Sequence, residues 1–263
     1  MERKVFIVGA SSGIGYATAK KFLSEGDYVT NLSRTPCDLN NVKNILCDVT
    51  DREKLNREIE NYKANNKNLD IFIYSAGFSM ECPLEHVNDE DYRYLFEVNL
   101  FGFMTILKAF IPLLRLSKGV AVVVSSVGGM IPIPYDSYYS ASKAAVNMLV
   151  STLSYELLPK GVKIISVLPG GTKTKFTFKR KVYSDKDCFD YASDKEKAAK
   201  SLAKIEQNGA KATTVANTIF RLCNNRIAAH TIASGIINKL SVGLTKIMPQ
   251  AVIYQINSKI YFD

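Results

Sequence analysis

Short runs of Val, Ile, Leu and Phe alternate along the chain with longer stretches whose apolar positions recur at helical spacing. The short runs, at residues 4–8, 28–32, 44–47, 69–74, 120–125, 163–168 and 228–232, are expected strands. Several are continuously apolar rather than alternating, as a strand covered on both faces requires. The helical stretches fall near residues 14–25, 52–65, 89–116, 140–158 and 213–224. This alternation predicts an α/β fold: a single doubly wound domain, residues 1–263, with a seven-stranded parallel sheet and helices on both faces. Residues 173–211 interrupt the pattern between the sixth and seventh strands and read as an excursion over the sheet rather than a second domain.

Composition mainly excludes. Apolar residues make up 47% and charged residues 22%, ordinary globular usage rather than that of a disordered, collagen-like or coiled-coil chain. The net charge of +9 comes from 34 basic and 25 acidic residues, and residues 173–211, with 11 basic and 6 acidic, supply +5 of it. No nucleic-acid motif accompanies that charge, so a solvated loop is expected and nucleic acid is not an expected partner. Five cysteines (Cys37, Cys47, Cys82, Cys188, Cys223) form no CxxC pair and suggest reduced thiols. With only His86 and His230 beside them, no metal is expected. Residues 1–8 lack the longer apolar stretch and cleavage site of a signal peptide. No run of about 18 uncharged apolar residues suggests a spanning helix. A cytoplasmic protein is the expectation.

The first chemistry-bearing motif follows the first strand directly: Gly9-Ala10-Ser11-Ser12-Gly13-Ile14-Gly15, then a helix. Glycines suit a sharp strand-to-helix turn whose backbone approaches a pyrophosphate, and the helix N-terminus offers free N–H groups to the anion. Asp48, at the end of the third strand, can accept from an adenine amino group or, alternatively, cap the following helix. Tyr139 and Lys143 are four apart and share one helix face. An ammonium beside a phenol favours the phenolate, which a proton-transferring tyrosine needs near neutral pH. Ser126 lies at the C-terminal end of the fifth strand, where open α/β sheets place their ligand crevice. Asn99 puts an amide into an apolar helix, where it needs partners such as a backbone carbonyl and an ordered water.

In order and spacing, Gly9–Gly15, Asp48, Asn99, Ser126, Tyr139-to-Lys143 and Pro169-Gly170 resemble the short-chain dehydrogenase/reductase family, from the first strand to about Thr174. Ser126-Val127-Gly128-Gly129 resembles its steroid- and retinoid-active branch. The resemblance implies a Rossmann-type fold and an oxidoreductase interconverting a ketone and a secondary alcohol. Tyr139 would be the acid or base, Lys143 would lower its pKa and bind the nicotinamide ribose, Ser126 would orient the substrate oxygen, and Asn99 would support a water-linked relay. The cofactor would contact Gly9, Ser11, Ser12, Gly13, Ile14, Gly15, Asp48, Val49, Ala76 and Gly77. It would also contact Ser33, Arg34, Tyr139, Lys143, Pro169, Gly170, Thr172 and Thr174. One departure stands out: the family's Asn-Asn-Ala-Gly is Tyr74-Ser75-Ala76-Gly77 here. A non-catalytic cofactor-binding scaffold is the competing class, and it has no reason to keep Asn99, Ser126, Tyr139 and Lys143 together.

Three finer expectations follow. The second strand ends in Ser33-Arg34 with no carboxylate to repel a 2′-phosphate, which favours NADP(H), although Asp38 could reach the site if its loop folds back. The apolar loop 127–135 and Phe176, Phe178, Phe189 and Tyr191 suit a small hydrophobic, steroid- or lipid-like substrate. The runner-up is a 3-oxoacyl thioester on an acidic carrier, docked by Lys173, Lys175, Lys179, Arg180 and Lys181. Residues 172–211 are expected to form a mobile lid, and the chain to assemble as a homodimer or homotetramer. In the C-terminal extension, 235–263, Ile236, Ile237, Leu240, Leu244, Ile247 and Met248 follow helical spacing. Packing on the protein's own body or on a twin subunit is favoured there over a membrane surface.

Overall fold

Seven parallel strands form one sheet in the computed structural model, which describes residues 2–176, 180–184, 186, 188–225 and 230–262. They are β1 (Lys4–Val8), β2 (Tyr28–Ser33), β3 (Val42–Leu46), β4 (Ile71–Tyr74), β5 (Val120–Val124), β6 (Lys163–Leu168) and β7 (Thr231–Ala233). Their order, β7-β6-β5-β4-β1-β2-β3, is that of a doubly wound sheet started at β1 and extended to both sides. The helices are α1 (Gly13–Ser24), α2 (Arg52–Asn65), α3 (Asp89–Phe96), α4 (Gly102–Ser117) and α5 (Ser137–Leu157). After these come α6 (Ala192–Gln207), α7 (Ala212–Asn224), α8 (Ile236–Leu244) and α9 (Gln250–Phe262).

Successive strand side chains point to opposite faces, so the continuous apolar runs feed two cores. Phe6 and Phe72 join Tyr62, Phe103 and Phe110 from α2 and α4 on one face. Val5, Ile7, Ile71 and Ile73 join Phe22, Val215 and Ile219 from α1 and α7 on the other. The first core is aromatic at its centre: Phe110 meets Phe6 edge-on at 4.8 Å and Phe72 at 5.6 Å between centroids.

Three expectations are corrected, and one stretch bears on the expectation about a spanning helix. The third strand starts two residues earlier and stops one earlier than expected, as an outer strand with mostly exposed or half-buried residues that lacks the continuous apolar run. The last strand is described at 231–233; residues 228 and 229 of the expected one lie outside the described residues. The expected helix 89–116 is two helices joined by a π-helical turn at Glu97–Phe101, with Asn99 inside it. Finally, among the described residues the stretch Asp89–Ser117 is long and apolar enough by composition to cross a membrane. Here it is a core helix, with Phe103, Ile106, Phe110 and Leu114 fully buried.

The excursion is tied down at several points. Thr172–Lys173 pairs with Ala210–Lys211, and Lys181–Val182 pairs with Met80–Glu81. Cys188 is buried with its sulfur 3.8 Å from that of Cys82. Its charge is not all solvated either. Arg180 is 5% exposed and bridges Glu206 at 2.9 Å and Glu81 at 3.6 Å. Phe178 and Lys179 lie outside the described residues.

Phe110 lies where three aromatic side chains meet, so Phe110→Ala is expected to cost about 3–5 kcal/mol of stability through the cavity it leaves. Leu116→Ala, on the exposed side of the same helix, is expected to stay within about 0.5 kcal/mol. Urea denaturation of both variants checks the difference.

Candidate active site

Parallel strands deliver their carboxyl ends to one edge, and there the glycine loop, Ser126, the start of α5 and the segment after β6 converge. They surround a cavity of about 1040 Å³. Its first wall is the loop after β1. Gly9 has φ of +89°, and a Cβ there would stand 2.9 Å from the Ala76 nitrogen, so only glycine permits both the turn and the approach of the two loops. A Cβ on Gly15 would collide with the Gly9 carbonyl. Asn31, in the middle of β2, braces this turn by accepting the Ala10 N–H at 2.9 Å while donating to Ser33 and Asn44. That brace was missed from sequence, where Asn31 is one polar residue in a strand.

The residues expected to do chemistry meet at the cavity's centre. Ser126, Tyr139 and Lys143 all line it. The Ser126 side chain lies close to the Tyr139 hydroxyl, and its own hydroxyl accepts the Gly128 N–H at 2.9 Å. The Lys143 ammonium donates to the Val124 carbonyl at 3.1 Å and sits 5.6 Å from the Tyr139 ring centroid. The expected lowering of the tyrosine pKa is not present. Burial pushes the Tyr139 hydroxyl up, with the nearby Ser126 side chain opposing, and burial also pushes Lys143 down to about 8. Both groups are therefore held toward their neutral forms.

Asn99 does not line the cavity but holds its wall. Its amide donates to the Phe78 carbonyl at 3.0 Å and the Ser142 hydroxyl at 3.1 Å, and its oxygen accepts the Phe78 N–H at 3.1 Å. One backbone carbonyl was expected among its partners. The Phe78 N–H and Ser142 are the partners not foreseen, and they clamp the loop after β4 to α5. The departure at Tyr74 finds its reason nearby. The buried Tyr74 hydroxyl donates at 2.5 Å to the Val98 carbonyl within the π-helical turn, which fixes the turn carrying Asn99. Tyr138 stacks on Tyr92 at 4.9 Å and is a packing residue.

At one end the cavity is lined by Ser33, Arg34, Thr35 and Tyr94, without a carboxylate. Arg34 donates to the Tyr94 hydroxyl at 3.2 Å and keeps a 69% exposed side chain. Asp38 is exposed and near the Tyr16 hydroxyl, and it does not line the cavity. Asp48 does not line it either. One of its oxygens accepts both the N–H and hydroxyl of Thr50 at 2.9 Å, and the other faces Tyr94 at 3.5 Å and Arg34 at 3.9 Å. The helix cap is Asp51 instead, accepting the Lys54 N–H. Gly9, Ser11, Ser12, Gly13, Ile14, Val49, Ala76, Gly77, Pro169, Gly170, Thr172 and Thr174 line the cavity; Gly15 stands apart from it. A glycine turn pressed against the Ala76 backbone with no room for a Cβ at Gly9, a helix N-terminus behind it and a cation at the far end of the cavity fit a phosphorylated dinucleotide.

At the other end the loop 127–135 and Phe176 line the cavity as expected, while its polar residues were not legible in sequence. Asp136, Arg180, Glu206 and Tyr261 line it beside Ile131, Ile133, Phe176, Leu202 and Ile205. Phe189, expected there, is 82% exposed, and neither it nor Tyr191 lines the cavity. Arg180 and Lys181 also leave the expected carrier-docking patch, Arg180 to its buried carboxylates and Lys181 to Asp91. Asp136 is 3% exposed and accepts the Met80 N–H at 3.2 Å. Burial pushes its carboxyl up to about 7, with the Met80 bond and Arg180 opposing.

A carboxyl raised from the ordinary 3.8 keeps its proton in the folded state after the unfolded chain has lost it. Wild-type stability therefore falls as pH rises through the window between about 4 and 7. Asp136→Asn removes that dependence, so its melting temperature is expected to gain on wild type across the window. Parallel melting curves from pH 4.5 to 7.5 would contradict the assignment.

The comparisons agree with this geometry. The family profile described as short chain dehydrogenase matches residues 3–187. The 3-ketodihydrosphingosine reductase of Bacteroides thetaiotaomicron is 32% identical over 208 residues, covering 78% of this chain and 77% of its own. The NADPH-dependent 3-dehydrocapnine reductase of Ornithobacterium rhinotracheale is 30% identical over 222 residues, covering 77% and 78%. A short-chain dehydrogenase structure from Streptomyces avermitilis superposes with a TM-score of 0.82 at 26% identity, covering 97% of this chain and 96% of its own. The glycine cradle, the Ser126–Tyr139–Lys143 group and these likenesses together make the chain a member of the short-chain dehydrogenase/reductase family of oxidoreductases.

Proposed function

We propose that the chain is an NADP(H)-dependent reductase of a ketone carried on a hydrophobic, lipid-like molecule, acting reversibly on the secondary alcohol. One observation carries the reading: Ser126, Tyr139 and Lys143 meet in a cavity that has a carboxylate-free, arginine-bearing phosphate cradle at one end and an apolar chamber at the other. When bound, NADP(H) supplies or accepts the hydride. The protein's part is orientation and proton transfer. Burial keeps the Tyr139 hydroxyl protonated, so it can donate to a carbonyl oxygen held by Ser126. A charged Lys143 stabilises the phenolate left behind. The Asn99 clamp on Phe78 and Ser142 holds α5 against the loop after β4, and so maintains the register of these groups.

The chamber's apolar lining, closed by the polar group Asp136, Arg180 and Glu206, suits an amphiphile with a polar end. The relatives named for 3-ketodihydrosphingosine and 3-dehydrocapnine are consistent with that class. The acyl-carrier alternative is weakened, because Arg180 and Lys181 are engaged within the protein. Residues 172–211 supply Phe176, Leu202 and Ile205 to the chamber and act in this proposal as its lid. Hydrogen exchange there is expected to slow when cofactor and substrate bind together. Five free thiols suit a cytoplasmic setting, and the exposed Met104, Met148 and Tyr155 of α4 and α5 supply a face for a homodimer or homotetramer.

Kinetics with a panel of hydrophobic ketones and acyl thioesters test the reading. Tyr139→Phe is expected to lower kcat about 10²–10⁴-fold, the usual worth of a positioned acid, with NADPH affinity retained. Arg34→Ala is expected to raise the KM for NADPH and leave that for NADH unchanged. A wild-type preference for NADH, or a Tyr139→Phe variant as fast as wild type, would refute it.

A further inference from the structure

The two C-terminal helices carry an apolar surface that the catalytic reading does not use. In α8 the large apolar residues Ile236, Ile237, Leu240 and Leu244 lie at spacings of three and four, on one helix face, and are 49–79% exposed. The small Val242 is the residue that α8 buries. This helix is therefore turned inside out, with its broad apolar face toward solvent. Ile247, 79% exposed, continues the same face past the end of α8. On α9, Ile256 and Ile260 lie four apart and are 44% and 48% exposed. Contiguous exposed apolar surface rimmed by charge marks a docking site.

Three observations decide what docks there. Residues 235–262 contain no Asp or Glu, and their only charged side chains, Lys239, Lys246 and Lys259, are all exposed. Ile237 and Ile260 belong both to this exposed surface and to the cavity lining, so the mouth of the substrate chamber opens through it. Tyr254, 74% exposed, adds an aromatic of the kind that sits at a membrane–water interface. A second copy of the chain fits poorly, because a two-fold contact along these helices would set Lys239, Lys246 and Lys259 against their own copies, and neither helix carries a carboxylate of its own. We propose that α8 and α9 dock on the surface of an anionic lipid bilayer, lying in the interface without spanning it, and hold the mouth of the chamber against the lipid. A substrate partitioned in the bilayer then enters the chamber without crossing water.

Vesicle co-sedimentation of the full chain tests this without any substrate, so its outcome is independent of the proposed reaction. With vesicles of phosphatidylcholine containing about one third phosphatidylserine, the wild type is expected to bind, and more strongly than to phosphatidylcholine alone. A basic residue near an anionic surface strengthens binding about fivefold. Lys239→Glu with Lys246→Glu is thus expected to remove at least a tenfold advantage of the anionic vesicles. Ile236→Ser, Leu240→Ser and Leu244→Ser combined should abolish binding to both compositions. Circular dichroism and NADPH binding should be unchanged, since none of the three lines the cavity. Absence of wild-type binding to either vesicle overturns the proposal. So does a triple-serine variant that binds vesicles as before but changes oligomeric state, which would assign the face to a second copy.

Discussion

A parallel sheet covered on both faces leaves its polar backbone ends nowhere to go but the strand edges, and this constraint organises the molecule. Val5–Val8, Ile71–Tyr74 and Val120–Val124 are buried almost completely, so every group that must meet a ligand is pushed to the loops at the carboxyl ends. The glycine loop leaves β1, the Ala76-Gly77 loop leaves β4, Ser126 follows β5 and Pro169-Gly170 follows β6. The site is the consequence of that shared edge. Its accuracy comes from a few polar ties between neighbouring strand ends: Asn31 to Ala10, Tyr74 to Val98, and Asn99 to Phe78 and Ser142.

Those ties explain how the chain tolerates its departure from the family pattern. Tyr74 fills a fully buried position and uses its hydroxyl to hold the π-helical turn, while Ala76 and Gly77 keep the close approach to Gly9 and Lys143. A Cβ on Gly77 would stand 3.0 Å from the Asn99 side-chain oxygen and 3.4 Å from the Lys143 ammonium. Packing rather than a second amide therefore sets the separation of loop and helix. Energetically the site is built against solvation. Tyr139, Lys143 and Asp136 are all buried, and each is displaced toward its neutral form. Burial thus keeps the Tyr139 and Asp136 protons in place and eases loss of the Lys143 proton until a ligand brings charge or takes it away.

The sheet was legible in sequence because continuous Val, Ile and Phe runs have one physical use, and the glycine loop and the Tyr139–Lys143 pair because their spacing is local. What escaped depends on distant partners. Arg180 reads as one more lysine-rich loop charge until Glu81 and Glu206, far apart in sequence, close around it. Nothing local marks Asp136, because its burial is set by tertiary packing. Helix α5 begins at Ser137, three residues before its expected start, and the stacking of Tyr138 on Tyr92 packs this added first turn. The apolar spacing of α8 was visible, but periodicity alone does not say whether such a face points inward.

The central claim is that the Tyr139 cavity moves a hydride and a proton between a nicotinamide cofactor and a carbonyl carbon. Label transfer tests it most directly. Wild-type enzyme is supplied with a reducible hydrophobic ketone and, in separate reactions, NADPH deuterated at one or the other C4 position. The product of one reaction should carry a single deuterium on its carbinol carbon and the product of the other none. Alcohol formed without deuterium from either cofactor would contradict the account.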